Sequence, residues 1–141
     1  MFQQVDGFSE RPDFITAEDY DLWLRLSQSG YKISLIEEVL GTFRIHAASA
    51  SSSIARNSAA EMAVVRSHLE SGAFSSSVKR HRMGKSHYGA ARSYFKAGDR
   101  QNARREFARA LRLAPLFPRT YAGLVLLLLD TVRKPRASRQ A

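Results

Sequence analysis

The sequence predicts an α+β segment, made of one helix and two strands, followed by an all-α region. The spacing of apolar residues is helical and then alternating up to residue 53, and helical from there on. The charge changes at the same point. Residues 1–53 hold four Lys and Arg and eight Asp and Glu, a net charge of −4, whereas residues 54–141 hold eighteen and five, a net charge of +13. The serine-rich residues 48–53 are therefore the expected boundary.

The composition excludes several kinds of site. There is no cysteine, so the chain has no disulfide, no thiolate zinc site and no cysteine nucleophile. The longest apolar run, from Tyr121 to Leu129, is well short of the ~20 residues needed to cross a bilayer. The first ten residues have neither the basic nor the apolar part of a secretion signal. We therefore expect a cytoplasmic chain.

A helix is predicted for "EDYDLWLRLSQSG". Leu22, Trp23 and Leu26 are spaced to share one helical face, and Gly30 is placed to end the helix in a left-handed conformation. Two strands are predicted next, at residues 31–36 and 39–46. A helix and two strands leave sheet edges and one face uncovered, so another part of the protein should cover them.

The rest of the sequence predicts helices. Residues 54–83 are expected to form a connecting helix and a linker, and residues 84–141 a helical hairpin with a basic tail. Small and aromatic residues recur along this hairpin, at Ala90, Ala91, Tyr94, Ala103, Phe107 and Ala110. The order resembles a tetratricopeptide repeat. A second unit would begin at Pro118, with Tyr121, Leu124 and Leu128 at its packing positions, which makes about one and a half units, fewer than a self-sufficient solenoid needs.

The acidic pair at the start of the first helix has two interpretations. Thr16 and Asp19 have the spacing of an approximate capping box, in which acidic residues are stabilised by the helix dipole. However, Asp19 also falls on the same helical face as Leu22 and Trp23. A carboxylate at the edge of a buried face has the setting of a general base.

Residues 5–51 resemble the carboxy-terminal third of the catalytic domain of family 2 glycosyltransferases, which have the GT-A fold. Four features agree in order: the "DGF" turn, the acidic pair before "DLWLRL", the glycine ahead of a strand, and "FRIH" at the end of the next strand. The resemblance covers about a third of the chain. It implies that residues 1–53 are a fragment of a GT-A domain.

The resemblance also implies roles for individual residues. Asp19 matches the base that takes a proton from an acceptor hydroxyl in an inverting sugar transfer, and Glu18 would shape the local field or contact the acceptor. His46 matches a ligand of the divalent metal, manganese or magnesium, held against the diphosphate; the alternative is a histidine in solvent. Gly7 would let the backbone approach a substrate, or is an ordinary turn glycine. Trp23 is either a core residue or a sugar-binding platform.

The chain carries only part of such a site. It has no glycine-rich phosphate loop, and its one D-x-D sequence, Asp19 to Asp21, lies inside a predicted helix, where residues two apart point in different directions. We therefore expect the acceptor side of a nucleotide-sugar transferase, inactive alone because the nucleotide-binding half is missing. The alternative is a non-catalytic, tetratricopeptide-like protein-interaction module.

The basic part suggests further partners. Nucleic acid is an unlikely one, because the basic residues of "DRQNARREFARALR" lie mainly off the packing face, as in any solvated helix. An anionic membrane surface is a second candidate, since "LVLLLL" is followed by "RKPR". The expected location is thus cytoplasmic, with a peripheral position at the inner face of the membrane as the finer alternative. Three histidines without metal-site spacing are interpreted as surface residues: His68, His81 and His87.

Overall fold

A computed structural model describes residues 5–42 and 53–133 of the chain, with side chains as far as Asp130. The chain divides into two compact units, one ending at Ala73 and the other beginning at Phe74. The amino-terminal unit contains a 3-10 turn, Pro12–Phe14, and two helices, α1 at Glu18–Gln28 and α2 at Ile54–Ser71. The carboxy-terminal unit contains three helices, α3 at Ser76–Lys96, α4 at Arg100–Leu113 and α5 at Pro118–Arg133.

Helix α1 ends as the sequence predicts. Gly30 has a φ of +84°, and its N–H donates to the carbonyl of Ser27 at 3.1 Å. The next N–H, that of Tyr31, reaches back to the carbonyl of Leu26 at 3.1 Å. These bonds satisfy carbonyls that the end of a helix leaves without intrahelical partners.

The core of the amino-terminal unit lies between the 3-10 turn, α1 and α2. Its buried members are Phe14, Ala17, Ala60 and Val64. Tyr20, Leu24 and Ala63 pack against them. The alanines let the turn and the two helices come close enough for the ring of Phe14 to be enclosed, which excludes water from the apolar surface.

Neither predicted strand is present in the part of the chain that the structure describes. Residues 31–42 have no regular secondary structure, and none of the residues in the two described ranges is in a strand. Residues 43–46 of the second predicted strand lie outside the described residues. Two strands need further strands or a covering helix to be stable, and the described residues offer no sheet for them to join. The predicted α+β class, a GT-A fragment with two strands, is therefore wrong, and the described fold is all-α.

Apolar side chains of this irregular segment remain in solvent. Five of them are more than half exposed: Ile33, Leu35, Ile36, Val39 and Leu40. Alternating apolar residues favour a strand only when one of its faces is buried. Neither face of this segment is buried, so the alternating pattern does not produce the predicted strands.

The carboxy-terminal unit is built on the α3–α4 hairpin. Helix α3 begins at Ser76, earlier than the predicted hairpin start at residue 84, because the Ser75 hydroxyl accepts a hydrogen bond from the Val78 N–H at 3.4 Å. The turn between the helices has Gly98 at a φ of +81°. Asp99 then caps α4 by accepting the Asn102 N–H at 3.0 Å.

Five of the six predicted packing positions of the hairpin are buried: Ala90, Ala91, Ala103, Phe107 and Ala110. The sixth, Tyr94, is partly buried and packs against the same core. Small residues let the two helices approach closely at their far ends as well, where a methyl group added to Gly84 would lie 2.6 Å from the Cβ of Ala114. The spacing of small residues thus determined how these helices pack.

Helix α5 packs through a face that agrees only in part with the predicted one. Its buried residues are Thr120, Gly123 and Leu127. Of the three predicted packing positions, Leu124 is partly buried and packs against the core, whereas Tyr121 and Leu128 are exposed. The physical reason lies in Gly123. The ring of Phe107 occupies the space that a side chain at position 123 would fill, so α5 turns Gly123 toward α4 and Tyr121 and Leu128 away from it.

Candidate functional site

The acidic pair lies in the first turn of α1 but does not form the predicted capping box. The N-cap residue is Ala17, which makes no side-chain cap. Glu18 instead folds back, and its Oε2 accepts the Thr16 N–H at 2.7 Å. Asp19 is exposed, and its Oδ1 accepts the N–H of Tyr20 at 2.7 Å. The prediction that it lies at the edge of a buried face is therefore wrong. A solute can therefore reach the Asp19 carboxylate.

The backbone immediately before the pair is in an unfavourable conformation. Thr16 has a φ of +84°, which is rare for a β-branched residue. Its hydroxyl is buried and has no hydrogen-bond partner among the described residues. Strained residues with unsatisfied polar atoms cluster at functional sites, since there the surrounding structure holds a conformation that packing alone would not select.

Trp23 is located one helical turn after Asp19. Residues four apart lie on the same face of a helix, so the indole and the carboxylate share one side of α1. The indole is 53% exposed. Of the two predicted alternatives for Trp23, a core residue and a sugar-binding platform, the first is therefore wrong. An exposed aromatic ring beside a carboxylate can stack on the apolar face of a sugar while the carboxylate accepts a hydroxyl proton.

Gly7 lies near a different face of α1. It follows Asp6 in a turn where both residues have positive φ, and its carbonyl accepts a hydrogen bond of 2.6 Å from the Arg25 guanidinium. The carbonyl of Val5 accepts a second bond from the same group. Arg25 comes six residues after Asp19, about 120° round the helix from it. The predicted site residues Gly7 and Asp19 are therefore not brought together. His46 lies outside the described residues.

A buried charge cluster that the sequence did not predict joins α1 to α2. Asp21 is 4% exposed, and its Oδ2 accepts a bond of 2.8 Å from Arg25 Nε. Its Oδ1 lies 2.8 Å from Nε2 of His68. The other ring nitrogen of His68 lies 3.2 Å from Oε1 of Gln28. These groups line a cleft of about 420 Å³ together with Ser9, Arg11, Ser67 and Ser71.

The bonding of this cluster favours a structural role over catalysis. Both ring nitrogens of His68 and both carboxylate oxygens of Asp21 are engaged by neighbouring side chains. A general base needs a lone pair that the substrate can reach, and Asp21 is buried while both ring nitrogens of His68 face neighbouring side chains. The cluster instead satisfies a carboxylate that would be costly to bury alone.

The prediction for the histidines is wrong in two of three cases. The His68 side chain is 13% exposed, and the His87 side chain is 14% exposed with its Nδ1 2.6 Å from Oε2 of Glu106. His81 is exposed, as predicted, and packs edge-on against the ring of Phe117. The missed signal is the helical spacing: His68 lies four residues after the buried Val64 on α2 and so shares its face.

The first and last residues of the "DYD" sequence lie on different sides of α1, as expected for residues two apart in a helix. Asp19 is exposed and Asp21 is buried, so they cannot hold one metal ion together. Within residues 5–42 and 53–133 no three His, Asp or Glu side chains are close enough to bind a metal ion. His46, the metal ligand that the resemblance implies, is not among these residues.

Helix α5 carries an extended exposed apolar surface. We call it the α5 face, which consists of Tyr121, Ala122, Val125, Leu126, Leu128 and Leu129. Its five large side chains are 48–59% exposed. The hydroxyl of Tyr121 donates to the carbonyl of Pro115 at 2.7 Å, so its polar atom is satisfied without a further partner. None of the helices in the described ranges has the length and apolar character needed to cross a membrane.

Comparisons with known proteins leave the class undetermined. No protein-family model matches the chain, and no curated protein and no solved structure is significantly similar to it. The support for a function therefore comes from the positions and exposure of the chain's own side chains.

Proposed function

We propose that the amino-terminal unit is the acceptor side of a nucleotide-sugar transferase of the family 2 type. The observation that carries the proposal is the exposed Asp19 carboxylate in the first turn of α1, with the half-exposed indole of Trp23 one turn further on. The resemblance of residues 5–51 supports it through the same acidic pair. The proposal does not include the two predicted strands, which the described residues lack.

In this proposal Asp19 is the base. The acceptor sugar stacks on the ring of Trp23. One of its hydroxyl groups loses its proton to a carboxylate oxygen of Asp19 as the hydroxyl oxygen bonds to the anomeric carbon of the donor. The bond from that carbon to the nucleoside diphosphate breaks at the same time, and the electron pair leaves with the diphosphate. Glu18 is held by the Thr16 N–H, and so it contributes negative charge beside the base.

The chain alone is expected to be inactive. Donor binding requires groups that hold a diphosphate, and the sequence contains no glycine-rich phosphate loop. The donor and any divalent metal therefore belong to the intact enzyme. The nature of the donor sugar and of the acceptor depends on those groups.

The test uses Trp23, the single tryptophan of the chain, as a probe. The purified chain is titrated with neutral disaccharides, and indole fluorescence is followed. We expect saturable changes at concentrations on the order of 10 mM, typical of a weak half-site. Asp19→Asn should weaken this binding at least about threefold, because a carboxylate is a stronger acceptor of hydroxyl protons than an amide.

The matched control is Glu10→Gln, which removes an exposed carboxylate elsewhere in the same unit. It should leave the titration unchanged. The proposal fails if no disaccharide perturbs Trp23, or if Asp19→Asn and the parent chain bind alike. Calorimetry with uridine diphosphate and Mn²⁺ is expected to show no binding tighter than about 1 mM; tighter binding would contradict the missing donor pocket.

The second candidate is a helical interaction module without catalytic function. The exposed α5 face favours it, because repeat-type helices normally bury both sides against neighbours. In this case Asp19 is irrelevant, and function depends on what covers α5. The proposed location is the cytoplasm, in a peripheral position at the inner face of the membrane, supported by the positive charge of the carboxy-terminal part.

A further inference from the structure

The α5 face has an unusual combination of properties. Six apolar residues on successive turns of the helix are exposed to solvent within nine positions of the chain. None of the residues between them is charged. The opposite side of α5 is fixed to α4 through Gly123 and Leu127. The exposed side therefore cannot turn inward, and its apolar surface remains available to a partner.

The breadth of the face limits what can cover it. From Leu128 to Leu126 the exposed residues extend over roughly 160° of the helix circumference, at 100° per residue. A single partner helix usually covers a narrower seam, two positions in every seven. A broad continuous face fits an extended apolar surface better than one helix.

The unit that carries the face is strongly basic. Residues 74–133 contain thirteen Lys and Arg and three Asp and Glu, a net charge of +10. Arg119 is exposed in the first turn of α5. At the other end Asp130, the one acidic residue of α5, accepts a bond of 2.7 Å from Arg100 Nε. No uncompensated negative charge therefore lies next to the face among the described residues.

This contact also places the α4 arginines beside the carboxy-terminal end of α5. Arg100 lines a cleft of about 520 Å³ with Gln101, Arg104 and Arg105. Arg104 and Arg105 are exposed. A partner lying on the α5 face would meet cations at both ends of the helix, so it should be anionic.

The same charge argues against a second copy of the chain. Two units of +10 would repel each other. An anionic membrane surface has the opposite property, because its headgroups attract the arginines while its acyl boundary accepts the apolar side chains.

We propose that α5 docks the protein on an anionic lipid surface. The helix has 16 residues, about 24 Å at 1.5 Å per residue, and would therefore lie in the headgroup plane. Val125 and Leu129 enter the acyl boundary, and Arg104, Arg105 and Arg119 contact lipid phosphates. The inference specifies the peripheral location named above and does not depend on sugar transfer.

The experiment is co-sedimentation of the full chain with vesicles. One set contains phosphatidylcholine alone, and the other contains phosphatidylcholine with about 30% phosphatidylglycerol, both in about 0.1 M salt. We expect the anionic vesicles to bind the chain at least about tenfold more tightly, since several cations contribute. Raising the salt to about 0.5 M should remove most of this preference.

Two paired substitutions separate docking by α5 from unspecific adhesion. Val125→Gln with Leu129→Gln should weaken binding to anionic vesicles at least about tenfold, because two apolar side chains no longer enter the bilayer. Ile33→Gln with Leu35→Gln removes two other exposed apolar side chains and should leave binding unchanged. Circular dichroism should show the parent helix content in both variants.

Three results would overturn the proposal. They are equal binding to neutral and anionic vesicles, parent-like binding by the Val125 and Leu129 variant, and equal loss in the Ile33 and Leu35 variant. Analytical ultracentrifugation showing a dimer that the α5 variant dissolves would assign the face to a second copy instead. Saturable binding of an acidic amphipathic peptide, with no vesicle binding, would assign it to a protein. None of these results affects the disaccharide titration of Trp23.

Discussion

Asp21 on α1 and His68 on α2 are joined by a hydrogen bond of 2.8 Å between Oδ1 and Nε2, although 47 residues separate them in the chain. The bond is almost enclosed, since the two side chains are 6% and 13% exposed. Arg25 binds the second oxygen of Asp21. The contact ties the two helices together.

We expect Asp21→Ala to destabilise the amino-terminal unit by about 2 kcal/mol, because it leaves the hydrogen-bonding groups of Arg25 and His68 without their acceptor in a mostly buried place. Urea unfolding followed by the fluorescence of Trp23 would measure it. Asp13→Ala is the matched control: its ion pair with Arg11 is half exposed, so its loss should have a much smaller effect. Equal effects of the two substitutions would contradict the structural role of the cluster.

Thr16 and Gly30 have the same φ of +84°. This conformation is strained for threonine but not for glycine. Thr16→Gly should stabilise the amino-terminal unit by about 1 kcal/mol, since glycine adopts this conformation without strain and the unpaired hydroxyl is removed. Gly30→Ala should destabilise it by about 1 kcal/mol for the converse reason. The same Trp23 unfolding assay applies. A loss of stability in Thr16→Gly would show that the threonine is not strained.

Gly123 and Gly89 are two glycines inside helices with opposite surroundings. The Phe107 ring occupies the space beside Gly123, whereas nothing lies within 4 Å of a methyl group at Gly89. Gly123→Ala should destabilise the carboxy-terminal unit by about 2 kcal/mol through overpacking. Gly89→Ala should stabilise it by about 0.5–1 kcal/mol through helix propensity. Thermal unfolding followed by circular dichroism measures both; stabilisation by both substitutions would refute the packing of Phe107 against Gly123.

The cap of α4 is predicted to be acid-sensitive. The hydrogen bond from the Asn102 backbone N–H, helped by one from its side chain, lowers the pKa of Asp99 below its ordinary value. A carboxyl whose pKa is lower in the folded state contributes stability above its unfolded pKa of about 3.9, and this stability is lost as the pH falls through the folded value.

Comparing the parent chain with Asp99→Asn between about pH 6 and about pH 2.5 measures this contribution, because this range includes pH values above and below the unfolded pKa. The asparagine keeps an acceptor oxygen but does not titrate. We expect its melting temperature to fall less than that of the parent as the pH decreases. Glu10→Gln serves as the control and should follow the parent. Parallel curves for Asp99→Asn and the parent would disprove the effect.

The helix ends and the hairpin were predictable because their signals are local. Gly30 and Gly98 adopt the left-handed conformation that ends a helix, and the small residues from Ala90 to Ala110 are buried where their spacing puts them. Each depends on neighbours within a few turns of the same helix or of the adjoining one. The predicted site was partly of this kind: Asp19 and Trp23 share a face because they are four residues apart.

The strands at residues 31–46 and the surface position of His68 were predicted from patterns that do not specify a partner. An alternating segment becomes a strand only beside another strand, and a histidine becomes buried only if a carboxylate lies opposite. Such partners are distant in the sequence. Asp21, for example, precedes His68 by 47 residues.

By itself, the sequence determined the helices from residue 54 onward, the division of charge and the acidic pair at the start of α1. The tertiary structure decided that residues 31–42 stay irregular, that Asp21 and not Asp19 is buried, and that α5 packs through Gly123 and exposes Tyr121. Helix formation depends on contacts three or four residues apart, whereas burial depends on which distant surfaces meet.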